Sequence, residues 1–288
     1  MKPFLTGIEE IDLGVAMGDR HGHPKEPQSQ KDVDTAVGVF MLKNKPSVVI
    51  DLDDRFDLPG LNTNRGSSLM GTDAPEPDHD IFDEIQVGKD SLAAMWGIIE
   101  KDNERHARAG HKERQYTPYK LVCLGNHTDF LSRAVKKHHS LKKMMSVETV
   151  RKIYRAHGYE VSEYLQNAIA AGIVFSHLIH KKKPTGMAID RHFAVAGMSS
   201  ITAHTHEYAV RNTRRGDGLR QTNLTIPTLK HPARLMGVED AGLVLFRNAR
   251  NGQFRHEMVG MEEILQEYRD FKMSQRKNTD ESLRKILA

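Results

Sequence analysis

Apolar and polar positions along this chain fall into short β-branched runs separated by helix-length stretches. Val48-Val49-Ile50, Leu121-Val122-Cys123-Leu124, Ile173-Val174-Phe175 and Ser200-Ile201-Thr202 are compact runs without helical period, which predicts buried strands. Between them, Val33 to Lys43 reads as a helix, and so does Ser91 to Arg105, with Leu92, Met95, Ile98 and Ile99 on one face and Asp90 as its cap. Residues 129–165 are helical in pattern with interruptions near Ser140 and Gly158, and Met187 to Met198 predicts a further helix. Short strands follow around Tyr208 to Arg211, Thr222 to Thr225, Gly242 to Phe246 and Phe254 to Val259. A charged helix closes the chain from Met261 to Ala288, with Met261, Ile264, Leu265 and Tyr268 as its apolar stripe and a break over Ser274 to Asp280.

One stretch has no period. Residues 58–90 hold Pro59-Gly60, the polar stretch Asn62 to Ser68 and the acidic run Asp73 to Glu84, which predicts a long insertion acting as a lid or a mobile loop. The organisation is therefore one domain over residues 1–259, with a polar insertion at about 58–90 and a helical one at about 129–165. A helical extension occupies 260–288. No internal repeat is present.

Composition narrows the class only slightly. With 288 residues, 38% of them hydrophobic, the chain can bury a sizeable core. Its single cysteine, Cys123, excludes an intramolecular disulfide framework and predicts a buried thiol in a reducing, cytoplasmic compartment. The first residues lack the apolar core of a secretion signal, and no stretch is long enough to span a bilayer, so no membrane partner is expected. The net charge of +4 is mild, but basic residues cluster at Lys136 to Lys143, Lys181 to Lys183 and Arg211 to Arg220. The last two clusters follow closely on His177 and His206 and predict a cationic rim.

The chemistry lies where the strands end. Gly18-Asp19-Arg20-His21, Asp53-Asp54-Arg55-Phe56-Asp57, Gly125-Asn126-His127-Thr128, Phe175-Ser176-His177 and Ala203-His204-Thr205-His206 each follow or lie within a strand-like run. Strand ends from one sheet converge, so these side chains are expected in one cleft, where carboxylate, amide and imidazole ligands suit a pair of transition-metal ions. Other histidines, among them His23, His180 and His192, fall outside these segments and read as structural or surface residues.

The order and spacing of the five segments resemble the calcineurin-like metallophosphoesterase family, whose pattern is DxH, GDxxD, GNHE, a lone His after a strand, and GHxH. The resemblance runs from about Asp19 to His206. It departs at three positions: Asp53 replaces a glycine, Thr128 a glutamate and Ala203 a glycine. The arrangement of the two insertions also resembles compact family members encoded in bacteriophage genomes.

The resemblance implies a four-layer α/β/β/α sandwich of two mixed sheets with outer helices. It implies one divalent ion on Asp19, His21, Asp54 and His206, and a second on Asp54, Asn126, His177 and His204, with manganese expected ahead of iron, zinc or nickel. It makes His127 the group that stabilises or protonates the leaving oxygen and Asp57 the carboxylate that orients it. Arg20, Arg55, Lys181, Lys182, Lys183 and Arg211 are candidate phosphate-binding residues. The implied activity is hydrolysis of a phosphate mono- or diester by in-line attack of a metal-bridging hydroxide; the cationic clusters slightly favour a nucleotide or nucleic acid as substrate, and no obligate protein partner is expected. A serine/threonine phosphoprotein phosphatase and a non-catalytic metal-binding scaffold are the alternatives.

Overall fold

The computed structural model of the chain describes residues 2–61, 80–138, 145–179, 197–214 and 216–287. In chain order the elements are β1 (Phe4–Leu5), β2 (Glu10–Met17), α1 (Gln28–Asn44), β3 (Val48–Asp51), α2 (Ile81–Arg108), β4 (Tyr119–Cys123), α3 (Asn126–Lys137) and α4 (Val147–Ala156). There follow β5 (Glu160–Ser162), β6 (Ala168–Ala170), β7 (Ile173–Ser176), β8 (Ser200–Thr202), β9 (Ala209–Arg214), β10 (Arg220–Thr225), β11 (Gly242–Arg250), β12 (Gln253–Gly260) and α5 (Met261–Leu287).

The strands form two mixed six-stranded sheets, one ordered β12-β11-β2-β3-β4-β5 and the other β1-β6-β7-β8-β10-β9. The sheets pack face to face. Ile50, Leu121 and Cys123 of the first meet Ile173, Phe175, Ile201 and Leu224 of the second in one buried cluster. The alternate residues Val49 and Val122 face the other way, into a second core shared with Val37, Phe40, Met95, Trp96 and Ile264 of the helices. Strands buried on both faces need no polar alternation, which is why these segments are unbroken apolar runs. Among the described residues, no helix covers the outer face of the second sheet. The helix expected over Met187 to Met198 lies mostly outside them, as do 62–79 of the polar insertion.

Several boundaries differ from the sequence reading. Helix α2 begins at Ile81, ten residues before the expected start. Asp80 accepts from the backbone of Phe82 and Asp83 while Asp83 caps back, a reciprocal box at the true N-terminus. Gly88 interrupts the pattern inside that helix because the Phe56 ring lies against it; a Cβ there would come within 2.3 Å of the ring. The expected helical insertion contains a strand, β5, entered through Gly158 at φ 80°. The edge strand β1 and its neighbour β6, two and three residues long, are too short to show a period in the sequence. Finally, α5 runs through Ser274 to Asp280 without the expected break, and the Ser274 hydroxyl donates to the Phe271 carbonyl inside the helix. No helix among the described residues is long and apolar enough to cross a membrane.

Candidate metal centre

Strands β2, β3 and β4 run parallel, as do β7 and β8, so their C-terminal ends deliver Asp19, Asp54, Asn126, His177 and His204 to one end of the sandwich. The loops there are conformationally strained. Twelve described non-glycine residues have positive φ, and six belong to these loops: Asp19 (52°), His21 (47°), Asp53 (62°), Asp54 (48°), His204 (76°) and His206 (60°). A left-handed residue costs about 1–2 kcal/mol, and such strain gathers where surrounding bonds over-determine the backbone. Those bonds are present: the Asp19 N–H donates to the Asp53 carbonyl at 2.8 Å, His21 N–H to that of Asp54 at 2.9 Å, and His204 N–H to the Asp19 carboxylate at 2.9 Å. Ala203 keeps ordinary dihedrals, so its replacement of glycine carries no penalty.

Two clusters of ligand atoms result. In one, Asp19, His21 and His206 converge; in the other, Asp54, His177 and His204 do. The Nε2 atoms of His21 and His206 lie 2.9 Å apart. His177 Nε2 lies 2.9 Å from Asn126 Oδ1, 3.1 Å from Asp54 Oδ2 and 3.3 Å from His204 Nδ1. All seven candidate ligands are thus together. Asp54 groups with the second cluster while lying in the electrostatic field of His21.

The imidazole tautomers are fixed from behind. His177 Nδ1 faces the Leu52 carbonyl at 2.6 Å, His21 Nδ1 the Asp57 carboxylate at 2.9 Å and His206 Nδ1 the Glu239 carboxylate at 2.6 Å. Each acceptor demands an N–H at Nδ1, which leaves Nε2 a lone pair directed at the cluster. Two such lone pairs facing each other at 2.9 Å, beside an Asp19 Oδ1 that is buried without a hydrogen-bond partner, repel unless a cation lies among them. Atoms that share one ion at about 2.0–2.2 Å sit about 3 Å from each other, so the donor set and its spacing fit a metal centre.

The depth of the groups divides the site. Asp19, Asp54 and His177 form a buried floor, whereas Asn126 and His206 are half-buried and His204 is exposed. His127 lies beside that floor, its Nε2 3.8 Å from Asp54 Oδ2 and its Nδ1 3.3 Å from Asp57 Oδ1 while also meeting the Asp57 carbonyl. Burial alone would lower its pKa, but the Asp54 and Asp57 carboxylates outweigh it and raise the imidazole to about 9. Asp57 therefore holds two rings, His127 and His21, rather than His127 alone.

The two loops meet the start of α3 in an unusual way. Gly125 is its N-cap and brings no capping side chain. Instead the Gly125 N–H donates to Asp53 at 2.7 Å and the His127 N–H to Asp54 at 3.0 Å. Two adjacent carboxylates from another strand end thus cap this helix, complementing its dipole. Gly125 is required by space, since a Cβ there would fall 2.0 Å from Asp54 Oδ1.

Of the expected phosphate-binding residues, Arg20 and Arg55 are corrected to structural roles. Arg20 is buried and bound to Glu26 and, at 2.6 Å, to Asp34. Arg55 is buried and bound to Asp51 at 2.6 Å and Ser91 at 2.7 Å, and Ser91 in turn donates to Asp34. This chain of paired charges ties both ligand loops to α1 and α2. Arg211 pairs with Asn223, two residues back from the strand end that meets the ligands, and Arg214 faces Arg220 at the opposite end of the hairpin. Of the expected rim, Arg214 and Arg220 thus lie at the end of the hairpin remote from the ligands, and Arg215 lies outside the described residues. Lys181, Lys182 and Lys183 lie outside the described residues.

Glu239 was not found from the sequence. It accepts from His206 and, at 2.7 Å, from the buried ammonium of Lys230, while the Met236 N–H donates to its other oxygen at 2.9 Å. Burial would raise its carboxyl, but the bonds from Lys230 and His206 prevail and lower it to about 2. A glutamate 33 residues after its histidine leaves no local signal.

No protein-family model matches the chain, and no curated protein sequence matches it. Among solved structures, a novel archaeal phosphodiesterase is similar over 86% of this chain and 99% of its own, at 12% identity and a TM-score of 0.38. A dimetal phosphatase from Danio rerio is similar over 88% of this chain and 97% of its own, at 10% identity and a TM-score of 0.35.

Proposed function

We propose that the protein is a binuclear metal-dependent phosphoesterase of the calcineurin-like type, hydrolysing a phosphate mono- or diester, with a nucleotide or nucleic acid favoured as substrate. The observation that carries this reading is the pair of facing imidazole nitrogens, His21 Nε2 and His206 Nε2, beside the unpartnered Asp19 Oδ1, set against a second cluster of Asp54, Asn126, His177 and His204. Asp19, His21 and His206 would hold one ion and Asn126, His177 and His204 the other, with Asp54 between them. Manganese, iron, zinc and nickel all suit these ligands. Two such ions supply Lewis acidity toward phosphoryl oxygens and a water acidic enough to act as nucleophile near neutral pH.

The chain's own groups do the rest. His127, with Nδ1 committed to Asp57, offers Nε2 to the leaving oxygen. Asp57 fixes that ring and the His21 ring together. Elemental analysis combined with a screen of monoester, diester and phosphopeptide substrates tests the proposal. The expected result is two ions per chain after manganese loading, fewer in Asp54→Asn, and metal-dependent hydrolysis of a nucleotide ester. A protein that stays metal-free, or an Asp54→Asn variant that retains two tightly bound ions, would refute it; efficient phosphopeptide turnover without nucleotide turnover would make it a protein phosphatase.

A further inference from the structure

A groove of about 670 Å³ opens at the same sheet end as the metal ligands, one strand along, between α3, α4 and the turn after β5. Leu124 and Thr128, which line it, flank the Gly125-Asn126-His127 segment directly. Tyr164, Leu165, Val147 and Ser132 contribute an aromatic ring, an apolar floor and a hydroxyl. Tyr164 lines the same groove as the two residues that bracket the Gly125-Asn126-His127 segment, so the groove lies beside the metal centre. Its turn is strained, with Leu165 held at φ 62°, a conformation that a branched side chain rarely adopts.

Charge decides what fits. Arg151 is bound to Glu148 at 3.1 Å and Glu163 at 2.6 Å, and Arg133 lies 3.5 Å from Asp129. The cations are consumed internally, so the groove has no net pull on a further phosphate. What it offers instead is an aromatic face, hydroxyl and carboxylate groups, and a buried Arg151 Nε donor without a hydrogen-bond partner. An aromatic ring beside polar groups whose charges are already paired suits an uncharged nucleobase with its sugar, and the volume lies in the range of small-molecule pockets.

We infer that this groove is the subsite for the nucleoside portion of the ester, with Tyr164 as the platform on which the base stacks and Arg151 Nε as a donor to its edge. The inference rests on the phosphoesterase reading and adds the identity of the group carried by the phosphate. A phosphopeptide, with its flexible backbone and flanking charges, gains little from a slot whose charged side chains are already paired with one another.

The test compares manganese-loaded wild type with Tyr164→Phe and Tyr164→Ala on thymidine 5′-(4-nitrophenyl) phosphate and bis(4-nitrophenyl) phosphate. The preference for the nucleoside ester in kcat/KM should fall about tenfold in Tyr164→Ala, the usual scale for losing one base-stacking partner, mainly through KM. Tyr164→Phe, which keeps the ring, should retain most of it. An unchanged preference overturns the subsite, as does a Tyr164-dependent preference for a phosphotyrosyl peptide. If wild type cleaves neither ester, the phosphoesterase reading fails instead. Titration of thymidine and adenosine into the protein, followed by NMR, then still decides the groove, because saturable binding that Tyr164→Ala does not weaken refutes it.

Discussion

Thr128 donates its hydroxyl to the Asp53 carboxylate at 2.6 Å, joining two of the three positions at which the chain departs from the metallophosphoesterase pattern. The same carboxylate accepts from the Gly125 N–H at 2.7 Å and the Tyr154 hydroxyl at 2.7 Å, and is wholly buried. Asp53 and Thr128 thus act as one unit that ties β3, the start of α3 and α4 together beside Asp54.

A double-mutant cycle should expose that coupling. Asp53→Gly orphans three donors, and Thr128→Glu sets two carboxylates against each other. Each single variant should lose thermal stability and manganese affinity, while Asp53→Gly/Thr128→Glu should recover part of both, with a coupling of about 1–3 kcal/mol. Strict additivity in thermal melts and metal titrations would show that the positions are independent. Asp53→Asn turns an amide donor toward a donor and should cost about 1–3 kcal/mol.

His127→Ala should lower turnover roughly 10² to 10⁴ fold, the scale of a general acid, with metal content nearly unchanged. The loss should shrink on nitrophenyl esters, whose leaving group needs little protonation. Asp57→Asn should affect metal binding as well as turnover, because Asp57 also holds His21. Steady-state kinetics on good and poor leaving groups, with parallel elemental analysis, separate these effects. Loss of the ions in His127→Ala would contradict the assigned role.

Glu239→Gln should weaken metal affinity about 10- to 100-fold, as loss of a carboxylate behind a ligating histidine does. The change also leaves Lys230 without its charge partner in a buried position. Competition with a metal chelator measures the shift. Equal affinity in variant and wild type would place Glu239 in a purely structural role in its loop.

The metal-free protein should lose stability as pH rises. After opposition by burial, the Asp54 carboxylate raises His177 to about 10, and those of Asp54 and Asp57 raise His127 to about 9. Stability from a raised histidine is complete below its unfolded pKa of about 6.5 and disappears as pH passes the folded value. Melting temperature in EDTA should therefore fall between pH 7 and 10, less so in His177→Asn. Manganese should reverse the trend, since ions bind the deprotonated rings. A metal-free melting temperature that rises across this window would contradict the assignment.

The order of residues, together with the family resemblance, named Asp19, His21, Asp54, Asn126, His177, His204 and His206 as candidate ligands, because each stands at or shortly after the end of a strand-like run. That they come from two sheets, after β2, β3 and β4 of one and β7 and β8 of the other, and meet at one end of the sandwich is a matter of tertiary packing. The core strands β3, β4, β7 and β8 were legible as compact runs without helical period. What local pattern leaves open is what lies across from each group. Arg20 and Arg55 sit beside ligands in sequence, yet Asp34, Ser91 and Asp51, brought in by α1, α2 and β3, draw their guanidiniums into the core. Glu239 reaches His206 only because the loop before β11 folds back over it. Arg214 and Arg220 looked adjacent to the site, but antiparallel pairing of β9 with β10 puts them at the far end of the hairpin. Short elements such as β5 and β6 take their conformation from a neighbouring edge and have too few residues to show a period of their own. Contacts such as Arg20 with Asp34, Arg55 with Ser91 and His206 with Glu239 join residues 14, 36 and 33 positions apart, so they are set by packing, and only the tertiary structure decides them.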